Sequence, residues 1–322
     1  MVMNCVPVPT STLVAVAEVC ANCGKEGNDA VKLKDCAACL LVKYCSVDCQ
    51  KAHRKLHKKT CKERAVELKD ERLYGQGHKW PEQDFCPICL LPLPLPTQEH
   101  SNLYACCSKM VCDGCCHEAW KIGLDNACPF CRSPTPKTGM EVLEMVLKRV
   151  AAKDPVAMRR LGDFYFCGEF GLAKDESRAI ELISEAAKLG STAALYKVGV
   201  AYYAGLGGVS QDKAKGIRCL ESAAMQGDAD SRHMLGYIEE DNRNVDRAVR
   251  HYMISAKMGH KDSLDTIRKM FANRLATRAQ YAETLKGYQD AMEEMKSPER
   301  DEAVASGFAD NLRRSQRDMK SN

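Results

Sequence analysis

The sequence predicts a mostly α-helical chain: two small, irregular, cysteine-rich fingers with short hairpins and helices, followed by an α-helical-hairpin repeat solenoid. Three observations lead there. Of 19 cysteines in 322 residues, all but Cys167 and Cys219 lie at or before Cys131. Most of those early cysteines fall in closely spaced pairs. The second half repeats itself, with Leu161-Gly162, Val198-Gly199 and Leu235-Gly236 standing 37 residues apart. A chain of this length holds roughly two or three domains.

Dense cysteine means disulfides or metal. The first nineteen residues, predicted to be unstructured, carry an apolar patch at 13–17. It has no basic segment ahead of it, and Pro7 and Pro9 precede it, so it lacks the form of a secretory leader. No run approaches the ~20 apolar residues that cross a bilayer. The expectation is an intracellular chain, cytoplasmic or nuclear, with no membrane segment and with reduced thiols that bind metal. The net charge of +4 comes from 47 basic and 43 acidic residues. So even a balance gives no general reason to expect nucleic acid as a partner.

The first cysteine group runs Cys20-x2-Cys23, Cys36-x2-Cys39, Cys45-x3-Cys49 and His57-x3-Cys61. Zinc takes four tetrahedral S or N ligands, and a C-x2-C turn brings two thiolates to one ion. Eight ligands therefore make two closed, structural sites. The last pairs lie on a predicted helix whose i, i+4 spacing puts His57 and Cys61 on one face. His53 shares that face, and spacing alone leaves it as an alternative. The helix is also basic, through Lys51, Arg54, Lys55, Lys58, Lys59, Lys62 and Arg64. It is read as a solvated face that offsets thiolate charge, with a nucleic-acid or acidic-partner patch as the competing reading.

Residues 20–61 resemble a MYND-type zinc finger, including the Tyr44-Cys45 and Cys49-Gln50 pairs. The resemblance implies interleaved sites: Cys20, Cys23, Cys45 and Cys49 on one zinc, and Cys36, Cys39, His57 and Cys61 on the other. It selects His57 over His53 and implies a peptide partner, often proline-containing. Arg54 departs from the pattern, since such fingers often carry Trp there.

A linker at 62–84, partly helical, leads to the second group: Cys86-x2-Cys89, Cys106-Cys107, Cys112-x2-Cys115 and Cys128-x2-Cys131. Again there are eight ligands, enough for two more zinc ions, which makes about four in the chain. Few apolar residues accompany them, so metal must supply much of the folding energy. Residues 85–133 resemble a RING-type finger in an all-cysteine variant. The resemblance implies Cys86, Cys89, Cys112 and Cys115 on one ion, and Cys106, Cys107, Cys128 and Cys131 on the other. Lys109 stands where a histidine ligand is usual, and Cys116 and His117 are rivals to Cys107 as fourth ligand. A RING has no nucleophile; it acts by holding a ubiquitin-conjugating enzyme and its thioester in a reactive geometry. The positions that match its conjugating-enzyme and ubiquitin contacts are Ile88, Trp120, Pro129 and Arg132. Each also has a structural reading as a core, turn or surface residue.

In the repeats, Ala186-Ala187-Lys188-Leu189-Gly190 returns as Ala223-Ala224-Met225-Gln226-Gly227 and then, after a shorter interval, as Ser255-Ala256-Lys257-Met258-Gly259. Each unit reads as two antiparallel helices. Asp175, Asp212 and Asp246 are the predicted N-caps of the second helices. Gly190, Gly227 and Gly259 are predicted to close those helices in the left-handed conformation. Cys167 and Cys219 are read as small packing residues. Residues 157–259 resemble Sel-like repeats, relatives of the tetratricopeptide repeat. Helices at 140–153 and 262–295 are expected to cap a solenoid spanning 140–295, ahead of a charged, frayed tail at 296–322. Such solenoids bind proteins. The predicted function is a zinc-binding adaptor whose fingers and repeats each take a protein partner. A RING-type ubiquitin ligase is the alternative, and a nucleic-acid-binding regulator is a third reading. No catalytic side chain is assigned.

Overall fold

The computed structural model describes residues 18–321, so the expectation for the N-terminus lies outside the described residues except at Glu18 and Val19. Contacts divide the chain into two compact units, one ending at Arg72 and one starting at Leu73. The division falls within one helix, α1 (Val47–Gly75).

In the first unit, β1 (Lys34–Asp35) and β2 (Lys43–Tyr44) pair antiparallel, with Lys34 opposite Tyr44. The buried residues are Cys20, Cys36, Cys39 and Tyr44, ringed by Ala21, Leu33, Val42 and three further cysteines. This core is mostly sulfur. It has too little hydrocarbon to offset chain entropy by burial alone. Along α1 the side chains of Lys51, Arg54, Lys55, Lys58, Lys59 and Lys62 are exposed, and Arg64 pairs with Glu67 and Glu71 at 3.0 and 2.7 Å.

The second unit begins with the segment expected to be a linker, and here the structure differs. Tyr74, Trp80 and Leu95 pack on Ala229, Ile254 and Met258, and the Trp80 indole N–H donates to Met258 O at 3.0 Å. Arg232, wholly buried, donates to Leu73 O at 2.7 Å and Gln76 O at 2.6 Å. Residues 73–80 are therefore docked on the repeats.

A small hairpin follows, β3 (Ser101–Leu103) with β4 (Met110–Cys112), in register Ser101 to Cys112. It leads into α2 (Asp113–Lys121). Helix α3 (Gly139–Ala151) opens the solenoid. Its Val142 and Val146 share one core with Ala105 of the second cysteine module and with Leu161, Phe164 and Leu182 of the first repeat.

The repeat helices are α4 (Pro155–Cys167), α5 (Glu176–Lys188), α6 (Thr192–Ala204), α7 (Lys213–Met225), α8 (Ala229–Asp241) and α9 (Val245–Lys257). They pack in sequence as pairs, α4 on α5, α6 on α7 and α8 on α9. Gly162, Gly199 and Gly236 sit at these pair contacts. A Cβ on Gly199 would lie 2.8 Å from Leu220 Cγ, so the recurring Leu/Val-Gly step is a steric requirement. As predicted, Asp175 and Asp212 cap α5 and α7, and Gly190, Gly227 and Gly259 have φ of 94°, 92° and 89°. Asp246 is a correction. The cap of α9 is Asn244, and Asp246 lies inside the first turn, where its charge still suits the positive end of the helix. The cause is the shortened third unit. Arg243, at φ 62°, makes its turn in place of a glycine-rich loop. Cys219 is half-buried and packs on the core shared by the first two repeats, whereas Cys167 is exposed at the end of α4.

Helices α10 (Lys261–Ala272) and α11 (Arg278–Met295) close the solenoid, α11 starting with a Thr277–Gln280 capping box. The expected frayed tail is the largest correction. Residues beyond 296 form α12 (Pro298–Ala305) and α13 (Phe308–Ser321), and α12 packs on α2. Arg300, Ala303 and Ala309 are buried there, and among the described residues only two large apolar side chains, Phe308 and Leu312, pack from this segment against the core of the second cysteine module.

Candidate metal centres

Four sets of four cysteine or histidine side chains come together, each with its ligand atoms within 4.8 Å of one another; a fifth, three-membered group of His117, Glu118 and Glu302 has no thiolate. In the first unit they are Cys20, Cys23, Cys45 and Cys49, then Cys36, Cys39, His57 and Cys61. In the second they are Cys86, Cys89, Cys112 and Cys115, then Cys106, Cys107, Cys128 and Cys131. Both modules interleave their pairs.

The local geometry that makes these groups repeats. In each C-x2-C turn off a helix, the backbone N–H four residues on donates to the first cysteine's carbonyl. Gly24 to Cys20, Leu40 to Cys36, Leu90 to Cys86 and Arg132 to Cys128 all do so at 2.9 Å. Each closing residue is left-handed, with φ of 71°, 58°, 59° and 63°. Ser108 closes the same turn onto Tyr104 O with φ 56°, which presents Cys106 and Cys107 from one turn. The residue after the second cysteine is thus part of the knuckle, a signal that the pair spacing alone does not carry. The Cys112 pair differs: Cys112 caps α2, its Sγ accepting from Cys115 N–H.

The donor sets fit zinc. Two thiolates at 2.3 Å from one ion in a tetrahedron stand ~3.8 Å apart. Sulfur–sulfur distances between paired knuckles are 3.5 Å for Cys23–Cys45, 3.7 Å for Cys36–Cys61 and Cys89–Cys112, and 3.8 Å for Cys107–Cys128. His57 Nε2 lies 3.2 Å from Cys39 Sγ. His53 instead faces the Tyr44 hydroxyl, 3.1 Å from its Nδ1. Crowded thiols also oppose one another's ionisation. Backbone N–H groups of Cys23 and Cys45 lower Cys20 to about 6, while hydrogen bonds with the Cys23 and Cys20 thiols push Cys45 up to about 12. A cation at the centre removes that conflict.

The two rivals for the fourth position in the second module lie elsewhere. Cys116 is buried against Tyr104 Oη at 3.4 Å and Asn102 Nδ2 at 3.6 Å. His117 is buried and stacks on Trp120 at 6.0 Å. Of the four positions matched to conjugating-enzyme and ubiquitin contacts, Ile88 and Trp120 are 43% and 53% exposed, Arg132 is exposed, and Pro129 is buried in its knuckle.

A groove of about 510 Å³ runs beside the repeats, lined by Trp80, Leu103, Arg160, Phe164, Tyr196 and Asp228 among others. Burial, with Asp230 adding repulsion, raises Asp228 to about 6. The Arg160 guanidinium donates to Leu103 O at 3.0 Å. Among the described residues no helix is long and apolar enough to cross a membrane.

Comparison with known proteins gives matches to two family models. Residues 20–61 match the MYND finger, and residues 155–191 and 192–228 match the Sel1 repeat. Among solved structures, a Sel1 repeat protein from Oxalobacter formigenes is 24% identical with a TM-score of 0.42, the alignment covering 48% of this chain and 64% of that one. A protective antigen of uropathogenic Escherichia coli displaying an SLR fold is 21% identical with a TM-score of 0.40, covering 54% and 38%. This chain thus spans less than two thirds of the length of either. It carries a zinc-binding MYND finger at residues 20–61 and Sel1 repeats over residues 155–228.

Proposed function

We propose that this protein is a zinc-dependent adaptor in which the two fingers and the repeats each engage a protein partner, with one zinc held by each of the four ligand sets. The supporting observation is the apolar surface on modules too small to hide it. Leu40, Leu41, Val47 and Leu56 are exposed on the first unit, and Ile88, Leu90, Trp120, Ile122 and Phe130 on the second module. Exposed apolar area at this density marks interaction surfaces. The repeat-side groove is the place proposed for an extended polypeptide. Joining several such surfaces on one chain raises the effective concentration of each partner for the others. The test is simultaneous occupancy: a proline-containing peptide bound to the first finger and a conjugating enzyme bound to the second should form a ternary complex with full-length protein. Mutual exclusion would overturn the adaptor reading. Metal content is its precondition, and two or fewer zinc ions per chain by native mass spectrometry would remove one finger assignment.

The second reading is a RING-type ubiquitin ligase, favoured by the exposure of Ile88, Trp120 and Arg132. The module would hold a conjugating enzyme so that a substrate lysine attacks its thioester, while the repeats or the MYND finger select the substrate. Auto-ubiquitination with a panel of conjugating enzymes decides it. Chains that fade in Ile88→Ala and Arg132→Ala support the ligase; no chains from fully metallated protein leave the adaptor.

A further inference from the structure

We infer that the second cysteine module is completed by the C-terminal helices, with Arg300 as a positioning residue for the site of Cys86, Cys89, Cys112 and Cys115. Arg300 is 8% exposed, and no carboxylate pairs with it among the described residues. Its guanidinium donates to Pro92 O at 2.7 Å, Met295 O at 2.5 Å, Leu91 O at 3.4 Å and Cys89 Sγ at 3.5 Å. Three of these acceptors, Cys89, Leu91 and Pro92, lie in or directly after the turn that carries the first two thiolates. A buried cation needs a counter-charge. Four thiolates around one divalent zinc carry a net charge of −2, and the site supplies it.

The backbone of the same residue meets the other half of the site. Gly114 lies between Cys112 and Cys115, and a Cβ there would stand 2.7 Å from Arg300 N and 2.9 Å from Glu299 C. Arg300 is therefore wedged between the two knuckles that form one centre, its side chain on one and its backbone on the other. Further ties hold it in place. Arg313 pairs with Asp113 at 2.9 Å, Glu302 with Lys121 at 2.7 Å, and the Phe308 ring sits 5.0 Å from His117 and 5.9 Å from Trp120. An N–H donor on a metal-bound thiolate fixes its orientation and draws off charge, and such outer contacts commonly change metal affinity about 10–100-fold.

This inference is independent of whether the module recruits a conjugating enzyme. The test is zinc release from full-length protein into excess chelator, with Arg300→Met, Arg300→Lys and Gly114→Ala. In Arg300→Met one zinc of four should leave about 10–100-fold faster while the other three keep wild-type rates. The Lys variant keeps the charge but loses the planar fork, so its rate should fall between. In the cobalt-substituted protein the thiolate-to-cobalt charge-transfer band of one site should shift in the Met variant, a change that loss of packing alone does not cause. Gly114→Ala pushes α12 off the knuckle with Arg300 intact and should release the same zinc early; it decides the matter if the Met variant does not fold. Wild-type release of all four ions, or an unchanged cobalt spectrum, overturns the inference.

Discussion

In the first cysteine module every side chain of the core comes from residues 20–61, whereas the second draws on Phe308 and Leu312 as well as its own cysteines. Both use eight ligands in interleaved pairs. The first falls in a segment that matches a family model, and the second lies between the matched segments. Metal ligation is local and can be read from spacing; what stabilises the metal site need not be local. A finger can satisfy its coordination pattern and still depend on distant chain.

Zinc removal gives the largest expected effect, since structural zinc contributes about 10–16 kcal/mol of apparent binding energy in small fingers. In hydrogen exchange, chelation should strip protection from 20–61 and, as one block, from 85–133 together with 298–312. The helices α5 to α9 should stay protected. Protection of 298–312 that survives zinc loss would break the contrast between the modules.

Phe308→Ala should sharpen it. The ring is half-buried against His117 and Trp120, so its loss should cost about 1–3 kcal/mol, less than a fully buried aromatic. Only the second module should show it, as faster exchange in 85–133 at unchanged exchange in 20–61. Gly199→Ala tests whether the repeats are independent of both modules. The added methyl meets Leu220 and should cost about 1–3 kcal/mol by overpacking. The helical melting transition should fall with zinc content unchanged; loss of zinc would tie the repeats to a finger.

The smallest effect is expected at Asp228. Its pKa in the fold is raised from 3.8 to about 6, so the native state holds a proton that the unfolded state has released between those values. Its favourable contribution is present below pH ~4 and is lost as pH rises through ~6. Asp228→Asn keeps an N-cap for α8 without that loss. It should be more stable than wild type by about 1–2 kcal/mol at pH 8, below the ~3 kcal/mol of the full shift because Asp228 is only half-buried, and nearly equal to it below pH ~4, as measured by denaturant unfolding. An advantage that does not depend on pH would place its origin elsewhere.

The sixteen grouped side chains were legible from pair spacing and family pattern because each pair is made within four or five residues of backbone. The 37-residue period was legible because every repeat needs the same small contact, as at Gly199. Asp246 misled because the third unit lost residues just ahead of it, moving the cap to Asn244. The C-terminal helices were hidden for a different reason. Hydrophobic periodicity finds elements held by apolar stripes, and this segment is held by a buried arginine, two buried alanines, ion pairs and two isolated large apolar side chains, Phe308 and Leu312, which are too few to make a stripe. Trp80 and Arg232 were missed in the same way: a docked linker gives itself away by two hydrogen bonds to backbone carbonyls and not by pattern.

The contact of Arg300 with the turn at Cys89 also orders events during synthesis. The ribosome delivers the chain from its N-terminus at about 5–20 residues per second. The first finger has all its parts when residue 61 emerges. The second presents its last cysteine at 131 and must then wait, on the order of ten seconds or more, for Arg300. In that interval its thiols are made but its clasp is not, so a prematurely terminated chain would carry a sound first finger and a leaky second one. A chain that stops short of α12 would therefore release the ion of Cys86, Cys89, Cys112 and Cys115 sooner than the full-length protein does.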